Sequence, residues 1–232
     1  MFVEILLPVA AYLIGSFPYM LLLSRALGYD LTTEKDFHIA MYRKVGRLAG
    51  ASGIFVDILK GVIPVLIGFY LDLDPRIVAT AAVTATFGQM WPVFQRFNGE
   101  KGNTTGFGAA GTLTISYGAW LIFVIAVAFF VIGFLIRTVP RFIAANNWSS
   151  RLSFGGPVSN SMPVGMLLGF ASMPISAYIL QQPLWMTLPL LIILIGIIIR
   201  RLTAGICKDM SDRKISAGCI LINRLFLDRS HR

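Results

Sequence analysis

The stretch FQRFNGEKGNTTG, residues 94–106, holds the densest set of groups that could do chemistry. Gly99, Gly102 and Gly106 have no side chains to shield their amides, so backbone N–H groups there are open to a ligand. Lys101 adds a positive point charge, and Asn103, Thr104 and Thr105 add donors. A long uncharged run starts at once after this island. A helix beginning there would turn its N-terminal amides toward an anion. Together these parts make a phosphate-sized anion site. The order NGEKGNTT lacks Walker spacing, so a nucleotide loop is not implied. On composition alone, a flexible glycine turn with its lysine facing lipid headgroups accounts for the stretch equally well.

Other charged residues lie where a site could use them. Asp57 and Lys60 stand i, i+3 inside an apolar run and therefore share a helix face. Charges within a span are costly and turn inward. A buried ion pair is their ordinary reading; the sharper one lets Lys60 lend positive potential to the island. Arg43 ends the mixed loop TTEKDFHIAMYR, where topology alone would call for a cation, and His38 is a lone loop histidine. Arg200 and Arg201 close the last apolar run, where snorkelling to headgroups is the default. Ser153 sits in RLSFGG before another run, as a helix N-cap would. Carboxylates are few and scattered, so no metal cluster is visible and no cofactor is implied. Cys207 and Cys219 fit free thiols better than a disulfide or a zinc site.

The elements that must position these residues are membrane helices. Of 232 residues, 56% are hydrophobic and 13% charged, against about a quarter charged in soluble domains. Residues 5–24, 77–95, 102–136 and 152–199 contain no Asp, Glu, Lys or Arg, and a transmembrane helix needs about 20 such residues. The net charge of +9 is spread beside the runs rather than on one face, which points to anionic lipid and not to nucleic acid. The fold class is all-α: a polytopic helical bundle in the cell membrane, multi-pass. Expected spans are 3–24, 48–71, 76–95, two within 102–136 turning near SYG at 116–118, and two within 152–199 split by QQP at 181–183. Placing every basic segment in the cytoplasm gives seven crossings, one of them short and buried among the others, with the N-terminus outside and the C-terminus inside. Residues 1–205 form the membrane domain. Residues 206–232 form a basic tail, in which 215–227 could be an interfacial amphipathic helix or loosely ordered.

In this order, the residues resemble the acyl-phosphate-dependent glycerol-3-phosphate acyltransferase family (PlsY). AYLIGSFPYMLLLSR is similar to that family's Gly-Ser-x-Pro span, and GRLAGASGIFVDILKGVIPV to its second span with Asp and Lys-Gly. GQMWPVFQRFNGEKGNTTG resembles Gly-His-x-x-Pro-x-Phe-x-x-Phe-x-Gly-Gly-Lys-Gly, and IIIRRLTAGI resembles Arg-His-x-x-Asn-Ile. The resemblance implies transfer of a fatty acyl group from acyl phosphate to glycerol 3-phosphate, with lysophosphatidate and phosphate as products and membrane lipid as surroundings. It implies catalytic roles for Lys101, Arg43 and Ser153, and substrate binding by Gly99, Gly102, Thr105, Lys60, Arg200 and His38. Several positions depart from the pattern. Gln89 replaces the motif histidine, Glu100 a glycine, Arg201 a histidine and Ala204 an asparagine. The first loop lacks the Gly-Ser-Gly turn, and His38 stands roughly where its asparagine was. A non-catalytic relative that binds acyl phosphate or lipid is one alternative. A small organic-phosphate transporter is the other, opposed by the lack of an inverted repeat.

Overall fold

The computed structural model describes residues 2–31, 37–144, 161–210 and 216–227. Helices α1 (Phe2–Ser16) and α2 (Tyr19–Ala26) are followed by the short α3 (Phe37–Lys44) and the long α4 (Arg47–Tyr70). Next come α5 (Pro75–Met90), a 3-10 turn (Val93–Gln95), α6 (Asn103–Ser116) and α7 (Trp120–Ala144). Helices α8 (Ser161–Ile179), α9 (Leu184–Thr203), α10 (Ile206–Met210) and α11 (Ala217–Leu227) complete the described residues, which contain no strand. Segments Glu4–Ala26, Arg47–Tyr70, Pro75–Gln95 and Leu184–Thr203 are long and apolar enough to cross a membrane, and Trp120–Ile136 and Pro163–Ile179 are shorter apolar helices. The protein is an all-helical, multi-pass membrane protein.

The expected breaks at SYG and QQP are real: α6 ends at Ser116 and α8 at Ile179. The first run, expected as a span over 3–24, is long and apolar enough to cross as Glu4–Ala26, but within it the helix is interrupted at Phe17–Pro18, because a proline ring cannot donate to the ladder and clashes with the turn before it. Helix α6, with 14 residues, rises only about 21 Å against a hydrocarbon core of about 30 Å. Thr105, Gly106, Gly108, Ala109, Ala110, Gly111, Leu113 and Thr114 are all buried, so the short helix meets protein rather than lipid.

Small residues let the helices touch backbone to backbone, which is how bundles gain packing when lipid is as apolar as leucine. A Cβ on Gly61 of α4 would collide with the Thr105 carbonyl of α6, and one on Gly108 of α6 with the Ile58 carbonyl. Gly15 and Gly88 play the same part between α1 and α5, against Ala85 and Tyr12. Deeper in, Met90, Ile122, Phe170, Met173, Ile193 and Ile197 make one core cluster, while Leu13, Ile67, Ile132 and Ile195 face outward into the apolar solvent. Helix α3 lies across α4 at Gly50, where a Cβ would meet the Tyr42 Cβ at 2.9 Å, and at Gly53. The turn between α3 and α4 uses Gly46 at φ 143°, a region that disfavours side chains. The tail segment is helical: α11 docks on the bundle with Ile220, Asn223 and Arg224 buried.

Candidate functional site

The island at 94–106 becomes a tight loop pinned from several sides. Phe97 N–H closes on the Pro92 carbonyl at 2.9 Å, and Arg96 and Phe97 both take positive φ, 52° and 61°. Gly99 is a glycine because a Cβ there would run into the Gln89 carbonyl and the Pro92 ring. Gly102 has φ 74° and caps the N-terminus of α6, with Met90 filling the space a side chain would need. Arg200, in the last turn of α9 and only 6% exposed, reaches under the loop. Its Nε donates to the Glu100 carbonyl (3.3 Å), and its Nη2 donates to Asn98 Oδ1 (2.9 Å) and the Gly99 carbonyl (2.5 Å). The guanidinium is thus engaged in holding the loop.

Behind the loop lies a cluster of buried charge. Lys60 Nζ donates to Asp57 Oδ1 at 2.7 Å, so the ordinary reading of that pair, a buried ion pair, describes its geometry. Gln89 Nε2 donates to Asp57 Oδ2 (2.7 Å) and to Glu100 Oε2 (3.1 Å), while its Oε1 accepts the Thr105 N–H (3.3 Å). Thr105 Oγ1 donates to the Asp57 carbonyl at 2.7 Å, which ties α6 to α4. His38 Nε2 lies 3.1 Å from Asp57 Oδ2 and 3.3 Å from Glu100 Oε2. Burial alone would lower the imidazole pKa, but its contacts with the two carboxylates outweigh that and raise it to about 10. The ligand-type atoms of His38, Asp57 and Glu100 fall within 4.8 Å of one another, a convergence that scattered carboxylates in the sequence do not disclose. The ammonium of Lys60, the Gln89 amide and the imidazolium already meet these oxygens, so the arrangement reads as a charge-balanced network, not a cation cage.

Asp57, Lys60, Gln89 and Glu100 form the polar end of an open groove whose other wall is Phe17, Pro18, Met20 and Phe37. The break between α1 and α2 shapes that apolar wall. Lys101 is partly buried at the loop's exit beside Gly102. Arg43 is exposed in the last turn of α3. Of the residues singled out above, the fold brings His38, Lys60, Gly99, Gly102, Thr105 and Arg200 around one loop. Ser153 lies outside the described residues. Arg201 turns elsewhere: its Nη1 donates to the Pro163 (3.2 Å) and Leu225 (3.1 Å) carbonyls, between α8 and α11.

Of the network members, Gln89 and Glu100 stand out in the sequence only as departures from the pattern, without a role, and Asn98 does not stand out at all. The signal was present in Glu100, since a carboxylate placed in a supposed anion site must be met by a donor somewhere. The identity of that donor was not readable, because His38 lies on another element.

The glycerol-3-phosphate acyltransferase family model matches residues 5–208. A relative from Geotalea daltonii is 43% identical over 108 residues, 45% of this chain and 56% of the relative. One from Geobacter metallireducens is 41% identical over 111 residues, 47% of this chain and 57% of its own length. These two matches span little more than half of the relatives' length. One from Haemophilus ducreyi is 31% identical over 165 residues, 66% of this chain and 81% of the relative. All three are named glycerol-3-phosphate acyltransferase. In fold, the chain is similar to the crystal structure of PlsY (YgiH), an integral membrane glycerol 3-phosphate acyltransferase, in its glycerol 3-phosphate form. The TM-score is 0.65 at 21% identity, with 94% of this chain and 98% of that one covered. Motif order, helix arrangement and a family match running from the first helix past the last long one agree: the chain belongs to the glycerol-3-phosphate acyltransferase family.

Proposed function

We propose that the protein transfers a fatty acyl group from acyl phosphate to glycerol 3-phosphate, releasing lysophosphatidate and inorganic phosphate. Family membership supports this, as do relatives of the same name. The similar PlsY structures were solved in glycerol 3-phosphate and lysophosphatidic acid forms. The observation that carries the reading is local: the glycine loop that leads into Lys101 and the start of α6 contributes Glu100 to a groove with one charged end and one apolar wall.

The chemistry fits such a place. Both substrates carry phosphate, which a lysine and open amides hold well, and an acyl chain suits the apolar wall and the lipid beyond. The glycerol hydroxyl oxygen attacks the acyl carbon, and the carbon–oxygen bond to phosphate breaks. The hydroxyl proton passes to a substrate phosphate oxygen. Phosphate is already a good leaving group, so the main tasks are alignment of two anions and stabilisation of the oxyanion. Lys101 and Arg43 serve as the cations for the phosphates, and Ser153 as a hydroxyl donor to them. Gly99 and Gly102 shape the loop, Thr105 and Lys60 brace its floor, and Arg200 holds it from below. No cofactor is required. The partners are the two phosphorylated substrates and membrane lipid, not nucleic acid, with the loop side of the bundle facing the cytoplasm.

The test is direct. Protein reconstituted in lipid receives acyl phosphate and labelled glycerol 3-phosphate. Wild type is expected to make lysophosphatidate, and Lys101→Ala to lose about a hundredfold or more in kcat/KM, as when an oxyanion donor is removed. Equal product from both would remove Lys101 from the site. Glu100 and the neutral Gln89 at the groove's polar end favour a second reading, a relative that binds acyl phosphate without turnover. No product from a folded wild type that is thermally stabilised by phosphate would select it.

A further inference from the structure

Three residues far apart in the sequence meet in space. His38 is on α3, Gln89 on α5 and Glu100 in the loop, yet Gln89 Nε2 is 3.1 Å and His38 Nε2 3.3 Å from the same oxygen, Glu100 Oε2. Both also contact Asp57 Oδ2, at 2.7 and 3.1 Å. We propose that His38, Gln89 and Glu100 are one compensated unit, a charge-balanced clamp that positions the loop carrying Lys101, with protonated His38 as its keystone. The part of this concerning turnover rests on the acyl-transfer reading above.

Chemistry explains why the three go together. Glu100 brings a second carboxylate against Asp57, whose Oδ1 already takes Lys60. One ammonium cannot balance two carboxylates, and an imidazolium supplies the missing charge. A histidine at position 89 would present one N–H per nitrogen, whereas an amide nitrogen carries two on one atom and can donate to both carboxylates at once. The Thr105 N–H bonded to Gln89 Oε1 turns that nitrogen toward them. Room for the imidazole comes from Gly53, where a Cβ would sit 2.8 Å from His38 Nδ1. Met20 from α2 shares the space over Gly53, and Lys60 from α4 takes the other oxygen of Asp57; Arg43 and Lys44 on the helix of His38 are exposed. The raised pKa of His38, about 10, agrees with an imidazolium charge set against two carboxylates, which its Nε2 meets as ion-pair contacts and not as hydrogen bonds.

The clamp acts on the loop. The Glu100 N–H donates to the Gln89 carbonyl at 3.1 Å, and Arg200 donates to the Glu100 carbonyl. With the side chain held as well, residue 100 is fixed at both ends and Lys101 leaves it in a set direction. His38 does not line the groove. It is a positioning residue, not a catalytic one.

The chain has two histidines, His38 and His231. In a His231→Gln variant labelled with 13C-histidine and reconstituted in lipid, one imidazole remains for NMR titration. It is expected to stay protonated through neutral pH and to titrate at least about one unit above the ordinary value of about 6.5. Glu100→Gln is expected to move that midpoint down. Titration at or below the ordinary value, or no response to Glu100→Gln, overturns the clamp. A second measurement is a cycle of His38→Asn and Glu100→Gly in the acyl-transfer assay. Each alone is expected to raise KM for glycerol 3-phosphate more than it lowers kcat. Together they should lose about tenfold less than the product of the two singles. Strict multiplication of the two losses also overturns it. An inactive wild type with a high His38 midpoint would remove the acyl-transfer reading and leave the clamp standing.

Discussion

Arg200→Lys is the sharpest perturbation, because it keeps the charge and removes only the fork. Arginine serves three acceptors at once, the Glu100 and Gly99 carbonyls and Asn98 Oδ1, from a side chain 6% exposed. A lysine ammonium is a point donor on a flexible stem and cannot span a carbonyl and an amide oxygen in this fixed geometry. It keeps one of the three contacts. Losing the other two costs about 2–3 kcal/mol, allowing about 1–1.5 for each bond to a charged donor. If the bound substrates require the ordered loop, that is roughly a 30- to 160-fold loss in kcat/KM. The assay is lysophosphatidate formation in lipid across a matrix of both substrate concentrations, with hydrogen exchange of residues 98–102 measured beside it. Exchange at the loop should rise in step with the loss of rate. A guanidinium that gripped phosphate directly would behave differently: Arg200→Lys would weaken substrate binding while the loop amides stayed protected. That result, or wild-type rate with wild-type exchange, would refute the role assigned to Arg200.

Asp57→Ala should leave Lys60 buried without its carboxylate and destabilise the protein by about 3–5 kcal/mol, as broken buried pairs do. Asp57→Asn combined with Lys60→Met should cost less, measured as thermal inactivation in detergent. Gly61→Val drives a side chain into the Thr105 carbonyl and parts α4 from α6, with an expected loss of about 1–3 kcal/mol or more and an earlier melting transition. The His38 pKa is about 10 in the fold against an ordinary 6.5, so its contribution to stability is whole below pH 6.5 and is lost as pH rises through 10. Across that window each unit removes up to about 1.4 kcal/mol. Melting scans of wild type should therefore decline with rising pH, and those of His38→Asn should be flatter.

The helices were legible because the bilayer imposes a simple rule, long uncharged runs bounded by charge, and both SYG and QQP break them by turn chemistry. The break at Phe17–Pro18 was hidden inside one such run, since hydropathy does not register a missing N–H. The glycine loop was legible from Gly99 and Gly102, whose types bear on backbone shape. Roles that depend on a partner were not. Arg200 reads as a snorkelling cation until the fold sets Asn98, Gly99 and Glu100 against it. His38 reads as a lone loop histidine until Gly50 and Gly53 let α3 lie flat on α4 and bring the imidazole to Asp57.

The loop is held by a relay that begins outside the family's matched region, residues 5–208. Arg224 of α11 donates through Nη1 to the Leu202 carbonyl (2.9 Å) and through Nη2 to the Ala204 carbonyl (2.6 Å), while pairing with Asp209 (2.5 Å). A cation on those carbonyls satisfies the frayed end of α9 and complements its dipole. Arg201 closes the same joint from the other side through the Leu225 and Pro163 carbonyls. One turn of α9 therefore faces two ways, Arg201 toward the tail helix and Arg200 toward the glycine loop. Steadying the end of α9 steadies Arg200, and Arg200 fixes the backbone that Glu100 and the carboxylate network fix from the opposite side. A loop anchored on both sides by the protein's own donors does not have to be ordered by a ligand; under the acyl-transfer reading proposed above, the binding energy of the two phosphorylated substrates then remains available for aligning hydroxyl and acyl carbon.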